Sequence, residues 1–417
     1  MARLRRWVLW AAVLPIAFPW LVATAVWVRR DSAMRRRRGD RPRLVYGPIP
    51  IVSIKYMSEA MRQAGYETLT LVHEIYAIHG PADFDRVVDS FSGPPGGRSI
   101  LARLRGRTMT DYAAFAWLLR HYDVFHFFFD GGFLRRTPLR LLEVQLLHLA
   151  GKKVIAMPYG SDVAIPSQIQ SVEWRDGLLV EYPDLGRNEA RRQRWIDYFC
   201  ARADYVVACL VHFETLPRWD LLPIHYYPID TDAWAPRETS SGHDGRSGSV
   251  VVLHAPNHRA LKGTDALLKA CEELQDEGCQ VSLRLLERVP NEQVHREMER
   301  ADIVADQFIL GYALTAMEGM SLEKPVLSNL SDDRYYARFR NQTRLGDCPI
   351  VSTTPSDLKE TLRRLVTQPA LRAEIGTAGR RYVIREHSYA AMAHLWDAIY
   401  RRVWYGEDID PGAQLRA

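Results

Sequence analysis

The sequence lacks the fingerprints of several common chemistries. No G-x-G-x-x-G follows a strand-like run, and the glycine-rich stretch GPPGGR (93–98) has a different spacing. No G-x-x-x-x-G-K-[ST] occurs either, which disfavours nicotinamide and P-loop chemistry. G-x-S-x-G and H-E-x-x-H are absent, which argues against a hydrolase nucleophile elbow and a zinc protease. Cysteine is scarce: five residues (200, 209, 271, 279, 348), odd in number and scattered, with no C-x-x-C or Cys/His ligand spacing. That excludes a disulfide framework, predicts no metal site and fits a reducing compartment. No repeat at a solenoid period is present.

Positive charge is also in short supply once the N-terminus is passed. The net charge is +5, but residues 1–43 hold eleven Arg and two Asp, which leaves 44 basic and 48 acidic residues in the rest. A nucleic-acid binder carries its basic charge on the folded domain, so nucleic acid is not expected as a partner. The arginines flank instead the longest uncharged run, the 22 residues from Trp7 to Val28. At ~1.5 Å per residue such a helix crosses a ~30 Å hydrocarbon core. Trp7 and Trp27 sit near its ends, where indoles favour the interface, and Pro15 and Pro19 predict a bend or a shallow insertion. Arg29, Arg30 and Arg35 to Arg38 outweigh Arg3, Arg5 and Arg6, which predicts that the large C-terminal portion stays in the cytosol, at the inner (cytoplasmic) membrane. Ala23-Thr24-Ala25 resembles a signal cleavage site, but the length of the run and the unpaired cysteines favour an anchor over residues 1–42.

A chain of 417 residues exceeds one core, and its pattern alternates twice between strand and helix. Strands are predicted at 43–47, 67–72, 122–130, 152–157 and 204–208, with helices at 53–65, 138–151 and 187–203; residues 79–110 are less regular. The Gly/Ser-rich segment 235–249 reads as a linker. A second series follows, with strands at 249–255, 280–286, 302–306 and 324–329 and helices at about 263–277, 291–300 and 311–322. The expected fold class is α/β: two Rossmann-like parallel-sheet domains, 43–234 and 250–388, facing a cleft. An amphipathic terminal helix begins at 389, with Trp396, Trp404, Arg401 and Arg402 available to pack back on the first domain or to touch a membrane.

Ligands of such sheets bind at the carboxyl ends of the strands, which singles out two stretches. In HAPNHRALKGTDALLKA (254–270), Arg259 and Lys262 are placed to converge on a diphosphate at a helix N-terminus, or else to be two solvated cations. In ADQFILGYALTAMEGMSLEKPVLSN (305–329), Gly311 opens a helix and Glu318 lies further along it, able to accept two hydrogen bonds from a ribose diol or simply to face solvent. His126, at the end of a first-domain strand, either faces the sugar or acceptor or is a satisfied core histidine. Asp162, in a Gly-Ser-Asp turn, either orients the acceptor or caps the turn.

Together these stretches resemble the family-four retaining glycosyltransferases of the GT-B fold. HAPNHRALKGT is similar to that family's strand–loop–helix with its basic pair, and LGYALTAMEGMSLEKPV to its E-x7-E segment, with Glu318 as the second Glu and Pro325 as the closing Pro. GPIPIVSIKYMSEAMRQAGYE, DVFHFFFDGG, PYGSD, ADYVVA and YPIDTDAW resemble the family's first-domain segments. The resemblance spans roughly 43–403 and implies transfer of a sugar from a nucleotide-sugar to a glycan or lipid-linked acceptor, with retention and without a divalent metal or other cofactor. It implies catalytic roles for Arg259, Lys262, Glu318 and His126. Gly47, Asn257, His258, Gly263, Gln307 and Gly311 would bind the nucleotide-sugar, and Tyr159 and Asp162 the acceptor. The chain departs from the pattern at Leu310, where the first Glu is common, at Tyr159, where a His is usual, and at Ala313, where Gly is common. A loop shift of one residue would bring Asp306 or Gln307 into the role of the first Glu. The alternative reading is a GT-B binding or scaffold protein at the membrane without turnover.

Overall fold

The computed structural model describes residues 2–76, 79–80, 82–92, 100–210, 213–237 and 241–416. In the first unit α1 (Ala2–Arg38) leads into β1 (Leu44–Tyr46), α2 (Val52–Gln63), β2 (Thr68–Val72), β3 (Arg86–Val87) and α3 (Ile100–His121). β4 (Val124–Phe127), α4 (Glu143–Leu149), β5 (Lys153–Ala156), α5 (Val172–Glu181), α6 (Glu189–Arg202) and β6 (Tyr205–Val206) follow. The six strands form one parallel sheet in the order β3-β2-β1-β4-β5-β6. Successive residues serve opposite faces, as a strand requires: Val45, Phe125 and Val154 join one core, and Leu44, Val124 and Ile155 the other. Both faces are covered, which is why these strands are apolar throughout.

The second unit comprises β7 (Val250–His254), α7 (Arg259–Lys262), α8 (Thr264–Asp276), β8 (Val281–Leu285), α9 (Asn291–Glu299) and β9 (Ile303–Ala305). It continues through α10 (Leu314–Ser321), β10 (Val326–Ser328), α11 (Asp333–Gln342), β11 (Val351–Ser352), α12 (Leu358–Thr367) and α13 (Pro369–His387). Its parallel sheet has the order β11-β10-β9-β7-β8. The fold is therefore α/β with two Rossmann-like parallel sheets. Part of the segment expected to be a linker is fixed to this unit: Arg372 donates to the carbonyls of Ser241 and His243, at 2.9 and 2.6 Å, and Gln280 N donates to Gly245 O at 2.7 Å.

The chain then returns. α14 (Tyr389–Tyr400) packs on α2 of the first unit, with Trp396 and Trp404 buried and Trp396 Nε1 donating to Tyr226 O at 2.8 Å. Of the two roles open to this helix, packing holds for both tryptophans; only Arg401 and Arg402 face solvent.

α1 is long and apolar enough to cross a membrane, and it runs through Pro15 and Pro19 as one helix. It is not a free anchor. Val13, Ala17, Leu21, Ala25, Val28 and Ser32, at three- and four-residue spacing, form a buried stripe against α3 and α4. Ile16, Phe18, Val26, Trp27 and Met34 remain exposed on the outside. The end of the helix is locked by charge. Arg35 and Arg43 donate to Asp123 Oδ2 at 3.3 and 2.9 Å, and Lys152 Nζ donates to Oδ1 at 3.0 Å. Burial alone would raise the Asp123 pKa; the Arg43 hydrogen bond and the Lys152 charge overcome it and hold the carboxyl down to about 2. Arg35 thus serves the fold, whereas Arg29, Arg30, Arg37 and Arg38 are exposed.

Candidate functional site

Between the units lies a cleft of about 940 Å³, walled by Lys55 and Tyr56 of α2 on one side and by the 255–259 loop, Arg288 and Leu314 on the other. The second wall is built by the ends of β7 and β8. His254 closes β7 with both ring nitrogens occupied, Nδ1 at 2.8 Å from Ala305 O and Nε2 at 2.9 Å from Thr264 Oγ1, which pins the strand end to the first turn of α8. Burial holds its pKa down at about 4, so the ring is neutral. Gly263 joins α7 to α8 at φ 70°, a left-handed conformation in which a Cβ would press on Phe308 at 3.2 Å.

The basic pair does not converge. Arg259 is exposed on the cleft wall and held bidentate by Glu287, both contacts at 2.7 Å. Lys262 points inward, where Nζ donates to Asp306 Oδ1 at 2.6 Å and to Gln307 Oε1 at 2.8 Å. This corrects the expectation of two cations meeting at one diphosphate: the buried carboxylate of Asp306 captures one of them. The same bonds settle the loop shift. Asp306 Oδ2 accepts from Ala313 N at 2.7 Å and Gln307 Nε2 donates to Leu310 O, so both side chains are spent inside the loop. Leu310 itself is core.

Glu318 lies one turn beyond the cleft-lining Leu314 on α10. It is buried rather than solvent-facing, and its Oε1 has no hydrogen-bond partner. Burial first, then the nearby Asp306 charge, pushes its pKa up to about 8. Gly311 does not open α10, which begins three residues later. It sits at φ 74°, donates to Asn329 O at 2.8 Å, and a Cβ there would meet Leu210 Cδ2 of the first unit at 2.9 Å. Asn257 and His258 line the cleft, and His258 is held by Tyr182 and by Glu181 at 3.5 Å. Gly47 lies at φ 151° where a Cβ would stand 2.0 Å from Leu71 O, so the loop after β1 passes directly over β2.

His126 is corrected to a core residue. Its Nδ1 is 3.1 Å from Val45 O and its Nε2 is 3.0 Å from Tyr400 Oη; the ring stacks on Tyr46 and meets Trp396 edge-on. The strand alternation turns it to the face that α14 covers. Burial pushes its pKa down to about 3. Unfolded, a histidine takes up a proton near pH 6.5, so the stabilising contribution of the neutral ring is complete above 6.5 and is lost as pH falls toward 3. His126→Gln is expected to lower Tm at pH 8, with the wild-type advantage shrinking below pH 6.5, and to leave any turnover per folded molecule unchanged. A turnover loss with unaltered Tm would overturn this placement.

Asp162 caps its turn: Oδ1 accepts from Tyr159 N and Gly160 N at 3.0 and 2.9 Å, and Oδ2 from Phe129 N at 3.1 Å. Tyr159 donates to Asp130 at 2.7 Å. Asp162 is thus committed to backbone, while Asp130, which sequence reasoning passed over, has an open side. Also unforeseen are Arg288, at φ 56° in the left-handed region on the cleft wall, and Glu181, whose Oε1 accepts from Ala260 N at 2.8 Å across the cleft. Neither carries a local signal: strain and cross-domain contact arise only in the folded chain. Among the described residues no group of three or more His, Cys, Asp and Glu side chains gathers as a metal site.

No protein-family model matches the chain, and no curated protein matches it. Solved structures do. A sucrose-phosphate synthase from Thermosynechococcus elongatus superposes with a TM-score of 0.56 at 13% identity, covering 88% of this chain and 100% of that one. An α-glucosyltransferase solved with UDP and a 13-mer DNA gives 0.55 at 10% identity, covering 87% and 100%. A trehalose-6-phosphate synthase gives 0.50 at 10% identity, covering 87% and 99%. At these identities the likeness shows the fold, and that fold is GT-B.

Proposed function

We propose that this protein is a glycosyltransferase that moves a sugar from a nucleotide-sugar to a glycan or lipid-linked acceptor, with retention of configuration and without a metal. The observation that carries this is the occupancy of the 255–260 loop by two carboxylates. Glu287 clamps Arg259, and Glu181 accepts from Ala260 N and sits beside His258. Both stand where a diphosphate would accept the same hydrogen bonds. Glu318, one turn from the cleft wall with an open oxygen, suits a ribose diol. In the transfer the bond from the anomeric carbon to the leaving diphosphate breaks, and a bond from the acceptor oxygen to that carbon forms on the same face. The acceptor proton passes to the leaving phosphate, whose charge Arg259 stabilises after exchanging Glu287 for it. The exposed apolar face of α1 and its free arginines support attachment to the cytosolic face of an inner membrane. A second reading, nucleotide binding without turnover, draws on the capture of Lys262 by Asp306 and on the core position of Leu310.

Nucleotide release from UDP-, GDP- and ADP-sugars, with a membrane extract as acceptor, separates the two. Release from one donor is expected, falling about 10- to 100-fold in Arg259→Ala, the value of one or two charge-assisted hydrogen bonds of ~1.5–3 kcal/mol. Binding of a nucleotide with no release from any donor would establish the second reading.

A further inference from the structure

On the first unit, away from the cleft, two cavities of about 320 and 240 Å³ share Arg191 and Trp195 of α6. Arg140, Leu141 and Arg194 complete the larger; Arg135 and Asp130 help line the smaller. Trp195 stacks on Phe199 and lies against Gly131, so its ring is a fixed wall rather than a loose side chain. Several exposed arginines elsewhere on this protein find carboxylates, as Arg187 does in Asp184, Arg218 in Asp220 and Arg385 in Asp347. Among the described residues Arg135, Arg140, Arg191 and Arg194 form no ion pair at all. Arg135 shares its cavity with the Asp130 carboxylate and acts on the buried Glu143, but the lining of the larger cavity, with Arg140, Arg191 and Arg194, holds no acidic residue. These guanidiniums repel one another unless an anion joins them, and their planar forks suit phosphate oxygens.

The surroundings point to a lipid. Leu141 lines the larger cavity and is 50% exposed; Leu142 beside it is 42% exposed. They lead into α4, which packs on α1, the helix whose outer face shows Ile16, Phe18, Val26 and Trp27. An acyl or polyprenyl chain running that way would leave its phosphate among the arginines. Asp130, on the wall of the smaller cavity, accepts from Tyr159 Oη, which ties the site to the residue expected to meet the acceptor. We propose that the Arg135, Arg140, Arg191 and Arg194 cluster with Trp195 and Leu141 binds the phosphate headgroup of a lipid. The assignment deepens, and rests on, the reading of the acceptor as lipid-linked.

Calorimetric titration of the full-length protein tests this with three probes: dihexanoyl phosphatidic acid below its micelle concentration, inorganic phosphate, and dihexanoyl phosphatidylcholine. Phosphatidate is expected to bind at least tenfold tighter than either of the others. Arg191→Gln, an exposed position that the fold does not need, is expected to weaken phosphatidate binding by roughly 3- to 10-fold, and Arg140→Gln/Arg191→Gln/Arg194→Gln to abolish it with the near-UV circular dichroism unchanged. Leu141→Ser should weaken phosphatidate and leave phosphate alone. Equal affinity for phosphate and phosphatidate would assign the arginines to a soluble phosphate ester and overturn the lipid assignment. Unchanged phosphatidate affinity in the triple variant would overturn the site. Glu318→Gln is expected to keep full phosphatidate affinity, so a protein that binds phosphatidate here but transfers no sugar would retain this site and lose the transferase reading.

Discussion

Glu318→Gln is expected to lower kcat/KM for sugar transfer about 100-fold while raising the stability of the unliganded protein at high pH. A carboxylate that accepts two ribose hydroxyls contributes through charge-assisted hydrogen bonds of ~1.5–3 kcal/mol each, and an amide keeps only part of that. The stability change has the opposite sign. An unfolded glutamate ionises near 4.5, whereas burial and then Asp306 push the folded Glu318 up to about 8. Below 4.5 the group is protonated in both states and its contribution is fully present; it is lost as pH rises through about 8. Gln carries no such loss. Melting curves should therefore coincide near pH 4 and favour the variant near pH 9, by several degrees at ~2–4 °C per kcal/mol. Donor binding at pH 7 should also release protons, since a diol on Oε1 stabilises the ionised form. Calorimetry in buffers of different ionisation enthalpy reads that release directly. Unchanged transfer in the variant, or a stability difference that does not vary with pH, would remove Glu318 from the site.

Leu21→Ala is expected to lower the Tm of the folded protein by roughly 5–15 °C. Leu21 is fully buried in the stripe that α1 lays on α3 and α4, and burying such a side chain is worth ~2–5 kcal/mol against alanine. Phe18→Ser, on the outer face of the same helix, should leave Tm almost unchanged in detergent and weaken association with anionic vesicles instead. Removing residues 1–38 strips the stripe and the Arg35 contact to Asp123 together, so the shortened chain should aggregate. A truncated chain that melts like the full-length one would show that α1 contributes nothing to the first unit.

Much of the fold was legible. Predicted strands at 67–72, 152–157, 249–255 and 280–286 enclose β2, β5, β7 and β8, because a strand buried on both faces leaves a short apolar run bounded by turn residues. The helix of α3 was missed, as it starts within a stretch that read as irregular. So was α13, whose buried face mixes Gly376 and Gly379 with Arg372, Tyr382, Val383 and His387: a Cβ on Gly376 would stand 1.9 Å from Glu323 O, so part of this helix packs by close approach and its apolar stripe is interrupted. At the site, local pattern placed the 254–263 loop and Glu318 at the edge of the second sheet. It could not show where their side chains would point. His126 and Tyr400 are 274 residues apart, Lys262 and Asp306 are 44 apart, and no spacing rule reaches across such distances.

What the sequence by itself determined is the order and kind of elements, the two-sheet plan and the cleft edge, because these follow from periodicity and turn chemistry that act over a few residues. What only the tertiary structure decided is which groups are free. Asp306 rather than a ligand holds Lys262; α14 rather than the cleft covers His126; α3 and α4 take one face of α1 and leave the other open; among the described residues, four arginines near Trp195 form no ion pair. Each of these is a matter of pairing between distant segments, where a buried charge goes to whichever partner the packing brings within reach.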